Sequence, residues 1–245
     1  MLGRIPPTKS LQTVSVLVPT YMEKNNIADL IESINKNLSG CTFEVIVIDD
    51  NSPDGTAEVV RRLTKDYAKT KLIVRSSKMG LGSAYRDGFS ASSYEYIVEM
   101  DADMSHNPQE ITKLLQSLNQ NDIVIGSRYI RGGNIVGWNW RRKLISWGAN
   151  RFVRTVLGLK PKDVTSGFRV YSKGAFERII TQSKLNGYAF QIEVLYLASK
   201  LGFKVKEVPI TFNERKEGKS KLGTKEIVGF AAAMFSLRFR RVKVD

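Results

Sequence analysis

The sequence contains very little histidine and cysteine, and it has no long apolar run. The 245 residues include one histidine, His106, and one cysteine, Cys41. A single cysteine excludes an intramolecular disulfide and fits a reducing compartment, and a single histidine excludes a histidine cluster. No stretch of about 18 apolar residues is uninterrupted, so the sequence predicts no bilayer-spanning helix. Residues 1–13 lack the apolar core of a signal peptide and are predicted to be a loose lead-in.

Positive charge is scarce in the first half of the chain and abundant in the second. Residues 1–127 contain 13 Lys and Arg against 16 Asp and Glu, whereas residues 128–245 contain 25 against 8. The net charges of the two halves are therefore −3 and +17, and residues 128–162 contain nine basic residues and no acidic one. We expect the second half to face an anion, which could be nucleic acid, a phosphorylated substrate or an anionic membrane surface.

The first half alternates strand-like and helix-like segments. The predicted strands are residues 14–18, 43–48, 72–75, 94–100 and 122–125. The predicted helices between them are residues 27–38, 56–67, 81–91 and 109–118. This βαβ series predicts an α/β fold with a largely parallel sheet and helices on both faces. We expect a single domain over residues 14–237, divided into 14–127 and 128–237, with a basic tail at 238–245.

The second half is less regular. Its predicted elements are a helix at 141–157, a strand at 167–172, a helix at 191–201, a strand at 204–212 and a helix at 224–237. The polar segment NERKEGKSKLG predicts a loop before the last helix. The last helix contains GFAAAMFSL and is followed by RFRRVK, which is typical either of a membrane-surface contact or of an ordinary packed helix.

Two aspartates, Asp101 and Asp103, follow the apolar strand segment before them. Ligands of open α/β sheets bind at the carboxyl ends of strands, and residues two apart along a strand point the same way. The repulsion between the two carboxylates has to be offset by positive charge. A hard divalent cation, Mg²⁺ or Mn²⁺, suits these oxygen ligands, although two acids on a solvated turn are the alternative.

Two other predicted strands also end in polar residues. These are Pro19, Tyr21 and Glu23 after the first strand, and Asp49, Asp50 and Asp54 after the second. A nucleoside could use this edge, with the ring of Tyr21 against a base and Asp50 accepting hydrogen bonds from ribose hydroxyls. We interpret Ser52 and Pro53 as turn residues.

Two other enzyme classes fit the sequence poorly. The segment Lys78 to Gly82 has two of the glycines of a dinucleotide-binding loop, but Tyr85 replaces the third and the segment follows the third strand. We instead expect these glycines to let the chain turn closely beneath a ligand, with Lys78 near a phosphate. Phosphotransferases that phosphorylate the first aspartate of a D-x-D pair use an early strand and late paired acids, which this chain does not have.

The motifs taken together resemble those of the dolichol-phosphate mannosyltransferases, which are inverting glycosyltransferases of GT-A fold. The similar stretches are VPTYMEKNNI, VIDDNSPDGT, GLGSAYRDG, MDADMSHNP, IGSRYIRGG, RRKLISWGAN, SGFRVYSKGA, GYAFQIEVL and VPITFNERKEGKSKL. The resemblance covers roughly residues 14–230 and implies a Rossmann-like three-layer sandwich with a mostly parallel central sheet. The first and fourth stretches specify only a nucleotide-sugar transferase, whereas RRKLIS and SKLG are more particular to polyprenyl-phosphate acceptors.

The resemblance also implies roles for individual residues. Residues 14–127 would bind the nucleotide sugar and metal, and residues 128–237 the acceptor. The nucleotide-sugar contacts would be Pro19, Tyr21, Glu23, Asp50, Lys78, Ala102, Arg215 and Lys221. The metal ligands would be Asp101, Asp103 and Ser105, where some relatives have glutamine in place of this shorter serine. The acceptor phosphate would meet Arg128, Arg142 and Ser146, and the sugar or acceptor would meet Gln191 and Glu193. The catalytic group would be Asp101, Asp103, Arg128 and Arg215.

The reaction implied is transfer of mannose from GDP-mannose to dolichyl phosphate with inversion, with Mg²⁺ or Mn²⁺ as cofactor. The resemblance places the protein peripherally at the cytoplasmic face of a membrane, held by its last helix, by residues beyond 245 or by a small membrane partner. The alternatives are UDP-glucose as donor and, outside enzymology, nucleic-acid binding. Nucleic-acid binding is disfavoured because the sequence has no recognisable nucleic-acid-binding motif and because the acidic residues at the strand ends would have no role.

Overall fold

The structure is a computed structural model that describes residues 13–187, 189–214 and 224–243. The strands are β1 (Thr13–Thr20), β2 (Thr42–Asp49), β3 (Thr70–Val74), β4 (Tyr96–Glu99), β5 (Ile123–Ser127), β6 (Asn134–Val136), β7 (Arg169–Ser172), β8 (Val205–Pro209) and β9 (Thr211–Asn213). The helices are α1 (Ile27–Asn37), α2 (Thr56–Asp66), α3 (Leu81–Ser90), α4 (Ile111–Gln116), α5 (Trp140–Leu157), α6 (Lys173–Ile180), α7 (Phe190–Lys200) and α8 (Thr224–Arg238). A short 3-10 turn, Pro108–Glu110, precedes α4.

Seven strands form one sheet in the order β3-β2-β1-β4-β7-β5-β8. Within the described residues, β7 is the one strand of this sheet that runs antiparallel to its neighbours. The predicted largely parallel α/β sheet is therefore confirmed, although the reversed strand was not predicted. The short strands β6 and β9 pair separately as a small parallel sheet.

Helices cover both faces of the main sheet. Successive residues of the central strands point to opposite faces, and apolar residues are present on both. In β1, Val14, Val16 and Val18 join one buried cluster with α1, α2 and α4, whereas Leu17 joins a second cluster with α3, α5, α6, α7 and α8. Helix α1 contributes Ile27, Leu30, Ile31 and Ile34, whose spacing lies on one helical face. Each such side chain, when fully buried, contributes roughly 1.5–3 kcal/mol. The predicted three-layer sandwich is confirmed.

Strand register brings the predicted site residues to one edge of the sheet. Thr20 pairs with Asp49 and Leu17 pairs with Glu99, so β1, β2 and β4 end close together. Arg169 of β7 pairs with Glu99 on one side and with Ile125 on the other, so β4 and β5 are level. Because these strands are parallel, Arg128 leaves the sheet at the same edge as the aspartates after β4.

Three features of the second half differ from the sequence prediction. The strand predicted at 204–212 is two strands, because β8 follows β5 as far as Pro209 and β9 pairs with β6 from Thr211. Strand β6 and helix α6 were not predicted, and β6 is only three residues long. A short strand carries too little periodicity to be recognised in a sequence. The predicted domain boundaries at 14, 128 and 237 stay predictions.

The glycines near the start of α3 make room for the chain itself, which corrects the expectation that they lie beneath a ligand. A Cβ on Gly80, whose φ is +92°, would lie 2.6 Å from the carbonyl oxygen of Asn186. A Cβ on Gly82 would lie 2.2 Å from the carbonyl oxygen of Leu185. The backbone at 185–186 therefore packs directly on α3, and only glycine permits this approach.

No helix in the described part of the chain is both long enough and apolar enough to cross a membrane. This result agrees with the absence of long apolar runs in the sequence.

The close approach at Gly82 predicts that alanine will have opposite effects on stability at two helical glycines, Gly82 and Gly148. We expect Gly82→Ala to lower the free energy of unfolding by about 1–3 kcal/mol, because the added methyl group overlaps backbone that has no room to move. Gly148→Ala in α5 is the control, since no atom lies within 4 Å of its added Cβ. It should raise stability by about 0.5–1 kcal/mol through helix propensity. Urea unfolding measures both, and equal effects would contradict the packing at Gly82.

Candidate active site

Tyr21 and Lys78 form the outer part of the strand-end site. The ammonium of Lys78 lies 3.8 Å from the centroid of the Tyr21 ring. The side chain of Tyr21 is 36% exposed, so it can still offer ring surface to a planar group. The pair thus combines an aromatic face with a positive charge, as a base and a phosphate of a nucleotide would require.

Asp50 is buried and already engaged by the protein. Its Oδ1 lies 2.6 Å from Nη1 of Arg75, and its Oδ2 accepts a hydrogen bond from the backbone of Gly80 at 3.1 Å. Arg75 also lies 3.1 Å from Asp87, so one buried guanidinium joins two carboxylates. A ribose hydroxyl would have to share an oxygen of Asp50, which a carboxylate permits because each oxygen has two lone pairs. The sequence interpretation missed Arg75, whose burial requires an acidic partner.

The neighbouring loop residues serve mainly to hold the loops in place. Asp49 accepts hydrogen bonds from the backbone and hydroxyl of Ser52 at 2.8 and 2.6 Å, and this is the predicted turn role of Ser52. Asp54 accepts from the hydroxyl of Thr56 at 2.6 Å, and Thr56 in turn accepts from the backbone of Glu23 at 3.0 Å. The loops after β1 and β2 are therefore tied together. The side chain of Glu23 accepts a hydrogen bond from Asn26 at 2.9 Å.

Asp101 and Asp103 surround the single histidine. The backbone of Asp101 donates a hydrogen bond to Nδ1 of His106 at 3.2 Å, and the Asp101 carboxylate lies 3.8 Å from Nε2. His106 is fully buried, with its ring stacked 5.0 Å from that of Phe168. Burial lowers the pKa of His106 and outweighs the opposing pull of Asp101 and Asp103. His106 is therefore neutral and positions the loop.

The oxygen atoms around the aspartates fit a hard cation. Asp103 is buried and accepts a hydrogen bond from the backbone of Ser105 at 3.0 Å. The hydroxyl oxygen of Ser105 is buried and has no hydrogen-bond partner among the described residues. A Cβ on Gly167 would lie 3.3 Å from Oδ1 of Asp101, so glycine leaves space beside that carboxylate. No cluster of three or more His, Cys, Asp or Glu side chains is present in the described ranges, so a cation here would need oxygen ligands from a substrate.

Arg128 forms a buried, bidentate ion pair with Asp163. Its Nε and Nη2 each lie 2.7 Å from a different oxygen of Asp163, and Nη2 also donates to the hydroxyl of Thr165 at 2.7 Å. Burial alone would lower the pKa of Arg128, but the Asp163 carboxylate raises it above its ordinary value. These bonds use Nε and Nη2, so a phosphate would have to be met by Nη1. The sequence interpretation missed Asp163, although it is the first acid after the basic run that begins at Arg128.

Arg142 is more loosely held than Arg128. It lies 2.8 Å from Glu214 and 4.1 Å above the ring of Trp138, and 36% of its side chain is exposed. Ser146, one turn further along α5, accepts a hydrogen bond from the hydroxyl of Tyr129 at 2.7 Å. The structure therefore places all three predicted phosphate contacts around the first turns of α5 and the end of β5.

An aromatic cluster joins the aspartate side of the site to the arginine side. The ring of Phe212 lies 5.6 Å from that of His106 and 5.5 Å from that of Trp138, and the guanidinium of Arg128 lies 5.2 Å from it. Phe212 therefore lies between the two sides, and the single shared site expected from the sequence stays a prediction. The sequence interpretation missed Trp138 and Phe212, since a single aromatic residue in a loop carries no periodic signal.

The remaining predicted residues lie in different surroundings. Glu193 is fully buried, accepts hydrogen bonds from the backbones of Lys184 and Leu185 at 2.9–3.0 Å, and pairs with Arg240. It thereby supports the backbone that packs on α3, and we do not carry it further as a sugar contact. Gln191 is buried, and its side-chain amide lies beside the carboxyl group of Glu99. Arg215 and Lys221 lie outside the described residues.

The buried Glu99, two residues before Asp101, predicts a pH dependence of stability. Burial raises the pKa of Glu99 to about 7, although Arg169 and a 2.9 Å hydrogen bond from Tyr171 oppose this change. The stabilising effect of a neutral carboxyl is present below pH 4.5, the ordinary value, and is lost as pH rises to about 7. The loss should be about 3 kcal/mol. Glu99→Gln should abolish it, and a pH-independent difference between variant and parent in urea unfolding would contradict this assignment.

The Arg128–Asp163 and Arg142–Glu214 pairs should differ in how much stability is lost when the acid is neutralised. We expect Asp163→Asn to lower the free energy of unfolding by about 3–5 kcal/mol, because it leaves Arg128 buried without a counter-charge. Glu214→Gln is the matched control at the exposed Arg142 and should cost at most about 1 kcal/mol. Chemical denaturation of the two variants checks this, and a similar cost for both would show that the Arg128 pair is not the stronger constraint.

Comparison with known proteins identifies relatives along most of the chain. The family model described as glycosyl transferase family 2 matches residues 15–180. The chain is 38% identical over 248 aligned positions to polyprenol monophosphomannose synthase of Mycolicibacterium smegmatis, covering 97% of this chain and 92% of that protein. It is 36% identical to undecaprenyl-phosphate mannosyltransferase of Micrococcus luteus, covering 85% and 87%.

A solved structure shows the same fold at lower identity. It is glucosyl-3-phosphoglycerate synthase from Mycobacterium tuberculosis in complex with Mn²⁺, UDP and phosphoglyceric acid, with a TM-score of 0.68, 19% identity, and coverage of 96% of this chain and 80% of that one. At this identity the likeness shows the fold, which is the GT-A fold. Together with the match over residues 15–180, these relatives show that the chain belongs to glycosyl transferase family 2.

Proposed function

We propose that this protein transfers mannose from GDP-mannose to the phosphate of a polyprenyl lipid such as dolichyl phosphate. The observation that supports the proposal is the Trp138–Phe212 pair, which lies beside His106 of the aspartate loop on one side and beside Arg128 and Arg142 on the other. Such a site can bring a cation-bound sugar nucleotide to a lipid phosphate. The names of the two curated relatives support both the mannosyl group and the polyprenyl phosphate.

On the donor side, Asp101 and Asp103, with Ser105, would hold Mg²⁺ or Mn²⁺. Such a cation supplies charge neutralisation of the donor diphosphate. Tyr21 would face the base, with Pro19, Glu23 and Ala102 lining the nucleoside pocket. Asp50 would accept from ribose, and Lys78 would lie near a phosphate. We also expect Arg215 and Lys221 to contact the diphosphate.

On the acceptor side, the nucleophile needs no general base. A phosphate monoester has a second pKa of about 6 and is mostly ionised at neutral pH. One of its oxygens forms a bond to the anomeric carbon as the bond from that carbon to the diphosphate breaks, and GDP leaves with the electron pair. Attack from the opposite face inverts the configuration. His106 is buried, and its Nδ1 already accepts a hydrogen bond from the backbone of Asp101, which agrees with a reaction that does not use it as a base.

The two arginines have different parts in binding the acceptor phosphate. Arg142 is half-exposed and can exchange Glu214 for a phosphate, and its planar guanidinium suits two parallel bonds to phosphate oxygens. Arg128 stays with Asp163 and offers Nη1 from a fixed position. Ser146 would add its hydroxyl, oriented by Tyr129. Gln191 would be a further contact for the sugar, as the family resemblance implies.

The reaction would take place at a membrane surface. Of the twelve large apolar side chains that are exposed in the described ranges, seven lie on α5, on α8 or directly after it. These seven, which we call the α5–α8 face, are Trp140, Leu144, Ile145, Trp147, Phe152, Phe235 and Phe239. Exposed basic residues lie among them, including Arg141, Lys143 and Arg151. Aromatic and apolar side chains mixed with positive charge match an anionic bilayer interface, here the cytoplasmic face of a membrane.

The donor is tested with purified protein, dolichyl phosphate and radiolabelled GDP-mannose or UDP-glucose, with and without Mn²⁺. Lipid-extractable label from GDP-mannose alone is the expected result. Label from UDP-glucose alone would overturn the proposed donor, and no label from either would overturn the proposed reaction.

Neutralising Asp103 predicts a loss of turnover without a loss of fold. We expect Asp103→Asn to lower turnover by at least about 100-fold, since a cation ligand contributes several kcal/mol to stabilising the transition state. The amide oxygen can still accept the bond from Ser105, so the unfolding free energy should change little. Asp66→Asn, at an exposed position at the end of α2, is the control and should keep full activity. Full activity of Asp103→Asn would refute the assigned role.

The α5–α8 face predicts which side chains drive membrane binding. Trp140 and Ile145 are 69% and 68% exposed, so Trp140→Gln with Ile145→Gln should leave the fold intact. Each substitution should weaken binding to anionic vesicles roughly tenfold, because burial of such a side chain contributes about 1.5 kcal/mol or more. Val74→Gln replaces an exposed apolar residue on β3, off this face, and should have no effect in the same flotation assay. Equal binding by all variants would exclude this face.

A further inference from the structure

A second basic site lies beside α5, outside the residues assigned to the reaction. It is a cavity of about 220 Å³ lined by Tyr129, Trp147, Asn150, Arg151, Arg154 and Lys162. Three of these six residues are cations and none is acidic. A concave surface with this lining is suited to a compact anion.

The cations of this cavity have not been neutralised by the protein. No carboxylate lies within salt-bridge distance of Arg151, Arg154 or Lys162 in the described part of the chain. Nε of Arg154 is buried and has no hydrogen-bond partner there. The nearby Glu207 is occupied by the hydroxyl of Ser127 and by the backbones of Lys162 and Asp163, at 2.7–3.0 Å. An anion from outside would therefore complete the cavity.

The cavity lies on a different flank of α5 from the acceptor-phosphate residues. Arg142 and Ser146 are one turn apart on one flank, whereas Trp147, Arg151 and Arg154 recur at the four- and three-residue spacing of another. The hydroxyl of Tyr129 donates its bond to Ser146, so it lies between the two sites. The cavity thus adjoins the proposed acceptor site through Tyr129 and Asn150, which both hydrogen-bond to Ser146, while its three cations are not among the acceptor-phosphate residues.

The position of the cavity also favours a lipid as the source of the anion. Trp140, Leu144, Trp147 and Arg151 follow one another at helical spacing, so two lining residues continue the stripe of exposed apolar side chains. Tryptophan and arginine side chains that lie side by side are typical of the headgroup layer of a bilayer. Arginine pairs especially well with phosphate, through two parallel charge-assisted bonds.

We propose that the Arg151–Arg154–Lys162 cavity binds the phosphate monoester headgroup of a second membrane lipid, beside the lipid that accepts the sugar. This inference rests on the proposed function, in which the protein works at a bilayer. The bound headgroup holds α5 at the depth at which Arg142 and Ser146 meet the acceptor phosphate.

The test compares two anionic lipids at matched zeta potential. Vesicles of phosphatidylcholine contain either phosphatidic acid, which has a phosphate monoester, or phosphatidylglycerol, which does not. The parent protein should prefer phosphatidic acid on the order of tenfold, since charge-assisted bonds favour the monoester. Arg151→Gln with Arg154→Gln should remove most of this preference, and only the contribution of the acceptor-phosphate residues should remain. Arg141→Gln with Lys143→Gln is the matched control on the same helix and should weaken binding to both lipids, roughly fivefold for each charge, while keeping the preference.

Several outcomes would overturn the proposal. It fails if the parent protein shows no preference, or if the cavity variant keeps it. If inorganic phosphate raises the thermal stability of the parent but not of the cavity variant, and vesicles show no preference, the source is free phosphate and the lipid assignment is wrong. Lys162→Gln, at an exposed position, replaces the double variant if that variant does not fold, and should reduce the preference.

A transfer assay in detergent separates this proposal from the proposed function. Mannosyl transfer to solubilised dolichyl phosphate should be unchanged in the cavity variant, since none of its altered residues contacts donor or acceptor. If the parent shows no transfer while its lipid preference follows the cavity, the proposed function fails and the headgroup site stands. If the parent transfers mannose but shows no lipid preference, the headgroup site fails and the proposed function stands.

Discussion

The buried pair of Arg128 and Asp163 is the constraint on which the second half of the site depends. It joins the end of β5 to the segment before β7, and the rings of Tyr129, Trp138 and Phe212 lie 5.2–5.9 Å from its guanidinium. Charges buried in this way are tolerated only with good geometry and further hydrogen bonds, here from the backbone of Arg128 to Asp163 and from Nη2 of Arg128 to Thr165. The pair therefore holds the guanidinium of Arg128 in one position at the end of β5. The more exposed Arg142 can exchange Glu214 for a substrate phosphate.

The same division of charge accounts for the chemistry. The sheet edge at β4 carries carboxylates that suit a cation and a sugar diphosphate, and the edge after β5 carries arginines that suit a lipid phosphate. Two anions would repel each other in water, and the proposed site offsets each with its own opposite charge. In the proposed function, the exposed apolar side chains of α5 and α8 would place the arginine side toward a bilayer, so the elements that bind the acceptor phosphate would also contact the membrane.

Much of the fold was predictable because its signals are local and repeated. The spacing of Ile27, Leu30, Ile31 and Ile34 predicts α1, and the lack of clean alternation in the apolar strands β1 and β2 predicts a sheet covered on both faces. The antiparallel β7, the break at Ile210 and the short β6 were not predicted, because they depend on which strands become neighbours. The glycines at 80 and 82 show the same limit, since the sequence marks a close approach but does not say what approaches.

The sequence by itself determined the element types, the acidic strand ends, the charge asymmetry and the motifs by which Asp101, Asp103, Arg128 and Arg142 were selected. Only the tertiary structure decided that Asp50 is paired with Arg75, that Arg128 is held by Asp163, that Glu193 supports a loop, and that Trp138 and Phe212 connect the two halves. The physical reason is that periodicity and spacing are properties of neighbouring residues in the chain, whereas these partners are separated by 8–74 residues and meet only when the strands are assembled.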